Sequence, residues 1–124
     1  MNVIEQARQA YAPTQVSIRT ERSVEAQLMS QITARLHQAA TARPANFSSL
    51  VAALHDNRLM WTTLAADVAS SENALPSPLR AQLFYLAEFA ENHSRKVLRG
   101  EADATALIDI NTAVMRGLNG KRAA

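Results

Sequence analysis

Cysteine is absent from the 124-residue sequence, and only three glycines occur in it. The lack of cysteine excludes disulfide bonds, catalytic thiolates and the sulfur ligands of zinc fingers. It also fits a reducing compartment. The scarcity of glycine favours helices, because glycine loses more backbone entropy than any other residue when it becomes helical.

Long apolar runs are also absent, as is an excess of charge of one sign. No run approaches the roughly 20 apolar residues that cross a bilayer. Residues 1–8 contain Glu5 and no apolar stretch, so they do not resemble a signal peptide. The net charge is +2, with basic residues set among acidic ones. We therefore expect a cytoplasmic protein with no membrane segment, no direct DNA binding and no basic face for RNA.

The remaining composition is that of one globular domain. Hydrophobic residues make up 48% of the chain and charged residues 19%, which is a typical balance for a folded protein. A chain of this length is expected to form a single domain, residues 1–124. Within it we distinguish an N-terminal helix and linker over residues 1–19, a helical bundle over residues 20–118 and a basic tail over residues 119–124.

Apolar residues recur at helical spacing throughout, and no segment alternates with the period of a strand. A short helix is predicted over residues 2–11, ended by Pro13. An isolated helix of this length is marginal in water, so it must dock to be ordered. The next helix is predicted to begin at Thr20 or Ser23 and to stop at Arg43-Pro44, because the residue before proline avoids helical geometry.

Three further helices follow, with clear start and stop signals. One spans about residues 46–69, and the next has Ser77 as its cap, Pro78 in its first turn and Gly100 as its stop. Asp103 is predicted to cap the last helix, which reaches about residue 118. The fold class is therefore all-α, a small bundle of four main helices with a short, loosely attached N-terminal helix.

Each main helix carries one apolar stripe that is expected to face the core. Trp61 is the largest of these residues, and we expect it to be buried. The stripes are Val24, Leu28, Ile32, Leu36 and Ala39; Phe47, Leu50, Val51, Leu54, Trp61, Leu64, Ala65 and Val68; Leu79, Leu83, Leu86, Phe89, Ala90 and Val97; and Leu107, Ile110, Val114 and Leu118. Asn57, Arg58 and Asn111 fall among them. They are predicted to form buried polar pairs that fix helix register, with a binding role as the alternative.

Chemistry-bearing residues do not form a recognisable catalytic or cofactor site. His37, the pair His55-Asp56, and Asp103 or Asp109 loosely follow the metal pattern of helical phosphohydrolases. Adjacent helical residues point about 100° apart, however, so His55 and Asp56 are better explained as surface residues. His93 is expected to be a half-buried packing residue. No nucleophile motif or glycine-rich phosphate loop occurs. We expect no enzyme activity, no catalytic residue, no cofactor and no metal.

Apolar residues outside the core stripes are the candidates for a binding surface. They widen the apolar arcs of the last three helices, which fits either a central helix or a groove that accepts a partner's amphipathic helix. The partner-binding candidates are Leu59, Met60, Phe84, Tyr85, Ile108 and Met115.

Several co-linear segments of this chain resemble the FlaF family of flagellar biosynthesis regulators. The resemblance is close over residues 47–118 and looser over residues 1–46. The segments are ALHDNRLMW (53–61), LAADV (64–68), LP (75–76), LRA (79–81), FYLAEF (84–89), HSRKVL (93–98) and LIDINTAVMRGL (107–118).

The resemblance implies a cytoplasmic, non-enzymatic protein that supports flagellin production and export. It also implies contact with flagellin and joint action with a translational repressor of flagellin messenger RNA. Flagellin polymerises through amphipathic terminal helices, which a small helical protein with a spare apolar groove is suited to cover. We therefore expect a flagellin export chaperone. The alternatives are a regulator that acts mainly through the repressor and, with less support, an RNA-binding module.

Overall fold

The structure, a computed structural model, describes the backbone of residues 13–120 and the side chains of residues 26–117. Four helices follow one another: α1 (Pro13–Thr41), α2 (Phe47–Ala69), α3 (Ser77–Leu98) and α4 (Thr105–Gly120). Residues 13–120 contain no strand, and the predicted all-α bundle is confirmed. The helix predicted over residues 2–11 lies outside the described residues, as do residues 121–124 of the predicted tail.

The start of α1 corrects two predictions. Residues 14–19 are helical rather than a linker, and the helix begins at Pro13 rather than at Thr20 or Ser23. Proline suits the first turn of a helix for two reasons. Its φ is already near the helical value, and the N–H that it lacks would have no hydrogen-bond acceptor within the helix at that position. Pro13 therefore begins a helix here. At the other end α4 extends to Gly120, two residues past the predicted limit of the bundle.

Local side-chain chemistry accounts for the start of α2, and backbone geometry for the start of α3. The side chain of Asn46 caps α2, because its Oδ1 accepts a hydrogen bond from the Ser49 amide at 3.1 Å. The cap of α3 is Pro76 and not Ser77, and no side chain bonds to its first turn. Ser77 is instead the first helical residue, with Pro78 placed in the first turn as predicted.

Gly100 ends α3 as predicted, whereas Ala104 and not the predicted cap Asp103 directly precedes α4. Gly100 adopts a φ of 74°, a left-handed conformation. The Gly100 amide bonds to the Val97 carbonyl at 3.0 Å and the Glu101 amide to the Lys96 carbonyl at 2.9 Å, which is the Schellman pattern of helix termination. Asp103 Oδ1 then accepts from the Thr105 amide at 3.0 Å. That hydrogen bond lowers the pKa of the Asp103 carboxyl.

The four helices pack in a ring. α1 packs on α2 and α4, and α3 packs on the same two helices, so α2 and α4 face each other diagonally. The core cluster draws on all four helices and includes Trp61, which is 1% exposed as predicted. Its buried members are Leu36, Ala53, Leu54, Trp61, Ala87, Ala90, Val97, Ala104 and Leu107.

The side chains of Val24 and Leu118, predicted to face the core, lie outside the described residues. Among the described side chains, three that were predicted to face the core are exposed instead, namely Leu28, Phe47 and Val51. Phe47 is the first residue of α2, so it lies at the end of the bundle, and Val51 is one turn further along. Among the described side chains of α1, the buried apolar residues are Met29, Ile32 and Leu36, so Met29 and not its neighbour Leu28 faces the core. A shift of one position rotates a side chain by about 100° around the helix, which turns Leu28 outward.

Candidate partner-binding surface

The six candidate partner-binding residues divide into two groups in the structure. Leu59, Phe84 and Tyr85 are exposed, with 58%, 43% and 66% of their surface accessible. Met60, Ile108 and Met115 are half-buried, and Met60 and Ile108 pack against the core cluster. Only the first three are therefore available to a partner in the folded bundle.

The exposed candidates do not form one patch. Leu59 lies on α2, whereas Phe84 and Tyr85 lie on two flanks of α3. Phe84 is seven residues from Glu91, two helical turns, so it lies on the flank that faces α2, where Glu91 bonds Arg58. Tyr85 follows the spacing of Phe89 and lies towards the opposite flank. There His93 contacts the segment that leads into α4. A partner that contacts both Phe84 and Tyr85 must straddle α3.

A shallow concavity of about 330 Å³ lies along the Tyr85 flank. The His93 ring stacks on Phe89, with ring centroids 5.2 Å apart and planes inclined by 20°. His93 Nε2 lies 2.9 Å from the carbonyl oxygen of Asp103, so this nitrogen carries the proton and donates it. The concavity is lined by Tyr85, Glu88, Phe89, Asn92, His93 and Lys96.

The contacts of His93 agree with its predicted packing role, since the half-buried ring ties the end of α3 to the start of α4. His37 and His55 are exposed. Asp56 faces α1, with its carboxylate 3.8 Å from the guanidinium of Arg35. Within the part of the chain whose side chains are described, no group of three or more potential metal ligands converges.

A polar layer crosses the centre of the bundle, formed by Thr33, Asn57, Trp61 and Asn111. Asn111 is fully buried and bonds to three residues of two other helices, Thr33 of α1 and Asn57 and Trp61 of α2. Its Oδ1 accepts from Trp61 Nε1 at 2.8 Å. Its Nδ2 donates to Thr33 Oγ1 at 3.0 Å and to Asn57 Oδ1 at 2.8 Å. Asn57 and Asn111 are therefore buried and hydrogen-bonded, as predicted for structural polar residues, and the structure shows that they bond to each other.

The indole of Trp61 sets the orientation of every amide in the polar layer. Its N–H can only donate, so the oxygen of Asn111 must face it. The Asn111 nitrogen then faces Asn57, and the Asn57 oxygen must accept. This order leaves the buried Asn57 Nδ2 without an acceptor among the described residues. The layer therefore specifies one arrangement of three helices at the expense of one unpaired donor.

Arg58 does not join the polar layer, although the sequence suggested a buried pair. Its Nε and Nη2 atoms bond to the two oxygens of Glu91 at 3.1 and 2.6 Å. Arg95, one turn after Glu91, adds a bond at 3.0 Å. The hydrogen bond from Arg58 is the main reason that the pKa of Glu91 is lowered, against a smaller opposing effect of burial. This cluster joins α2 to α3 on the flank that carries Phe84.

Sequence reasoning missed two features of the structure, one at the surface and one in the core. Phe47 is 63% exposed and Val51 is 38% exposed, so both add apolar surface near one end of the bundle. The position of Phe47 directly after the capping Asn46 was the available signal, because the first turn of a helix often lies beyond the core. Thr33 was missed as a member of the polar layer, and nothing in its local sequence marks it.

Comparisons with known proteins assign the chain to a family. No helix among the described residues is long and apolar enough to cross a membrane. Comparison with curated proteins and with solved structures gives no significant match. The sequence model of one family, described as flagellar protein FlaF, matches residues 7–118. This match covers most of the 124 residues and includes all the segments that resembled the family, so the chain belongs to the FlaF family.

Proposed function

We propose that this FlaF protein binds flagellin in the cytoplasm as an export chaperone and thereby promotes flagellin synthesis and secretion. Membership of a flagellar family supports the setting. The amphipathic terminal helices of unassembled flagellin expose apolar faces that need cover until export. A small helical protein with apolar side chains at its surface meets that need without any catalytic step.

The observation that carries the proposal is the exposure of Leu59, Phe84 and Tyr85 on a bundle whose core is complete without them. Single exposed apolar residues are ordinary on protein surfaces. Here, however, two large aromatic side chains are adjacent on α3, and aromatic anchors dominate the affinity of many interfaces. Successive residues of a helix point about 100° apart, so a partner helix that uses both aromatic side chains as anchors must lie across α3. The ion-paired cluster of Arg58, Glu91 and Arg95 supplies a polar rim beside Phe84.

The test is co-purification of the tagged protein with flagellin, with flagellin messenger RNA and with the translational repressor. We expect flagellin to be recovered directly by the purified protein. Recovery of the repressor alone would favour the regulator, and recovery of messenger RNA alone would favour an RNA-binding module. Either result would contradict the proposal.

Serine substitutions then locate the surface. Leu59→Ser, Phe84→Ser and Tyr85→Ser should each weaken flagellin binding by about 1–2 kcal/mol, or roughly ten-fold. Gln82→Ser provides the matched control, since Gln82 is an exposed polar residue of the same helix α3. Circular dichroism and thermal melts of each variant would establish that the bundle is intact. Unchanged binding by all three folded variants would rule out this surface.

A further inference from the structure

The outer face of α3 carries a stripe of polar and aromatic side chains that points away from the bundle. Ala90 of α3 is fully buried, and Asn92 lies about 200° further around the helix, so Asn92 is near the centre of the exposed face. The outer stripe consists of five exposed residues, Tyr85, Glu88, Asn92, Lys96 and Arg99. The helices α2 and α4 pack on other sides of α3 and leave this stripe open to solvent.

The spacing of the outer stripe is symmetric about Asn92. Glu88 and Lys96 lie four residues from Asn92 on either side, and Tyr85 and Arg99 lie three residues beyond them. The two members of each pair have complementary chemistry. Glu88 and Lys96 carry opposite charges, and the guanidinium of an arginine such as Arg99 is attracted to the face of a tyrosine ring. A second copy of α3 that runs in the opposite direction therefore offers each residue of the stripe a matching partner.

We propose that the outer stripe is a homodimer interface, in which the α3 helices of two copies of this chain pack antiparallel around a two-fold axis at Asn92. Such an interface is isologous, so every contact away from the axis occurs twice. Glu88 pairs with Lys96 of the second copy, and Tyr85 lies against Arg99 of the second copy. At the axis the two Asn92 amides bond to each other, because each offers both a donor and an acceptor.

The charges of the outer stripe select both the occupant and its direction. Neither Glu88 nor Lys96 makes an ion pair within residues 26–117, so both can pair with a second chain. A parallel arrangement would place Glu88 against Glu88 and Lys96 against Lys96, and like charges in an interface repel. The antiparallel arrangement joins opposite charges at both positions. The stripe is therefore complementary to a reversed copy of itself.

The shape and size of the surface indicate a weak dimer. Tyr85, Glu88, Asn92 and Lys96 all line the shallow concavity of about 330 Å³, which can receive side chains of a helix that lies along α3. Contact through one helix of 22 residues per chain is smaller than the roughly 1,200–2,000 Å² of a standard interface. We therefore expect the dimer to dissociate on dilution. Because Tyr85 belongs to this interface, dimer formation and flagellin binding through Tyr85 exclude each other.

Charge reversal tests the interface on the purified full chain without flagellin. Sedimentation equilibrium from about 10 μM to about 1 mM should show a monomer–dimer equilibrium for the parent. Glu88→Lys and Lys96→Glu each place like charges at both symmetric contacts, so each variant should self-associate at least about ten-fold more weakly. In an equimolar mixture of the two variants these contacts again join opposite charges, and a heterodimer should form. Glu72→Lys is the control with the same change of charge, since Glu72 is exposed in the connection between α2 and α3.

A cysteine at the proposed two-fold axis provides a second measurement. The chain has no cysteine of its own, so oxidised Asn92→Cys should form a covalent dimer much faster than Gln38→Cys, which is exposed on α1. Circular dichroism and thermal melts would establish that each variant is folded. A parent that stays monomeric at about 1 mM, charge variants that associate as the parent does, a mixture that does not associate, or equal rates of cross-linking would overturn the homodimer. None of these measurements involves flagellin, so they leave the proposed function to its own test.

Discussion

At the scale of single residues, Trp61 has two roles. It is the largest fully buried side chain among the described residues, and its indole N–H orients the amides of the polar layer. Trp61→Ala removes both, and we expect a loss of about 3–5 kcal/mol in the free energy of unfolding. Trp61→Phe keeps most of the apolar volume but loses the N–H, so its loss should be clearly smaller. Urea denaturation of the two variants would measure both values. A melt of Trp61→Ala within a degree or two of the parent would contradict the burial.

The ion pair of Arg58 with Glu91 gives a prediction about pH. The folded-state pKa of Glu91 is lowered from 4.5, mainly by the hydrogen bond from Arg58. The stabilisation is therefore present above pH 4.5 and is lost as the pH falls through the folded-state pKa. Both side chains keep about a third of their surface in water, at 33% and 32%, so solvent screens the pair and its contribution is modest.

Glu91→Gln should reduce the free energy of unfolding by about 0.5–1 kcal/mol at pH 7. The difference from the parent should shrink steadily in acid below pH 4.5. Glu88→Gln is the matched control, because Glu88 is exposed on the same helix and has no ion pair within residues 26–117. A Glu91→Gln penalty that persists unchanged at pH 3 would show that the carboxylate charge is not its source.

At the scale of helices and their ends, we expect substitution of glycine by alanine to change the stability in opposite directions at Gly100 and Gly117. Gly100 has a φ of 74°, so Gly100→Ala forces an L-residue into a left-handed conformation at a cost of about 1 kcal/mol. Gly117 lies inside α4 with open space around it. Gly117→Ala should therefore stabilise the protein by up to about 1 kcal/mol through helix propensity. Chemical denaturation would measure both, and equal signs would contradict the assignment of the two positions.

At the scale of the whole molecule, we expect a bundle whose stability needs no bound metal. Purification without chelators should give no stoichiometric zinc, manganese or iron, and EDTA should leave the thermal melt unchanged. The physical basis is the placement of His37 and His55, which are exposed on different helices. One tightly bound metal ion per chain that is lost in His55→Ala would revive the phosphohydrolase hypothesis.

The sequence by itself determined the helical class and most helix ends. Asn46, Gly100 and Asp103 act on backbone groups within a few residues of themselves, so their effects can be predicted locally. The same holds for the burial of Trp61 and Leu54, which lie at the centre of a periodic stripe. Proline was ambiguous, because it can follow one helix or begin the next. The prediction that α1 begins at Thr20 or Ser23 was therefore wrong, because the helix begins at Pro13.

Only the tertiary structure decided which polar residues meet and which apolar residues remain outside. Thr33 and Asn111 are 78 residues apart in the chain, yet their side chains bond in the core. Periodicity tells which face of a helix is apolar, but the packing of four helices in a ring decides which face meets which neighbour. For that reason Met60 and Ile108 became core contacts while Leu59, Phe84 and Tyr85 stayed exposed. The surface available to a partner is a property of the packed bundle and not of any single helix.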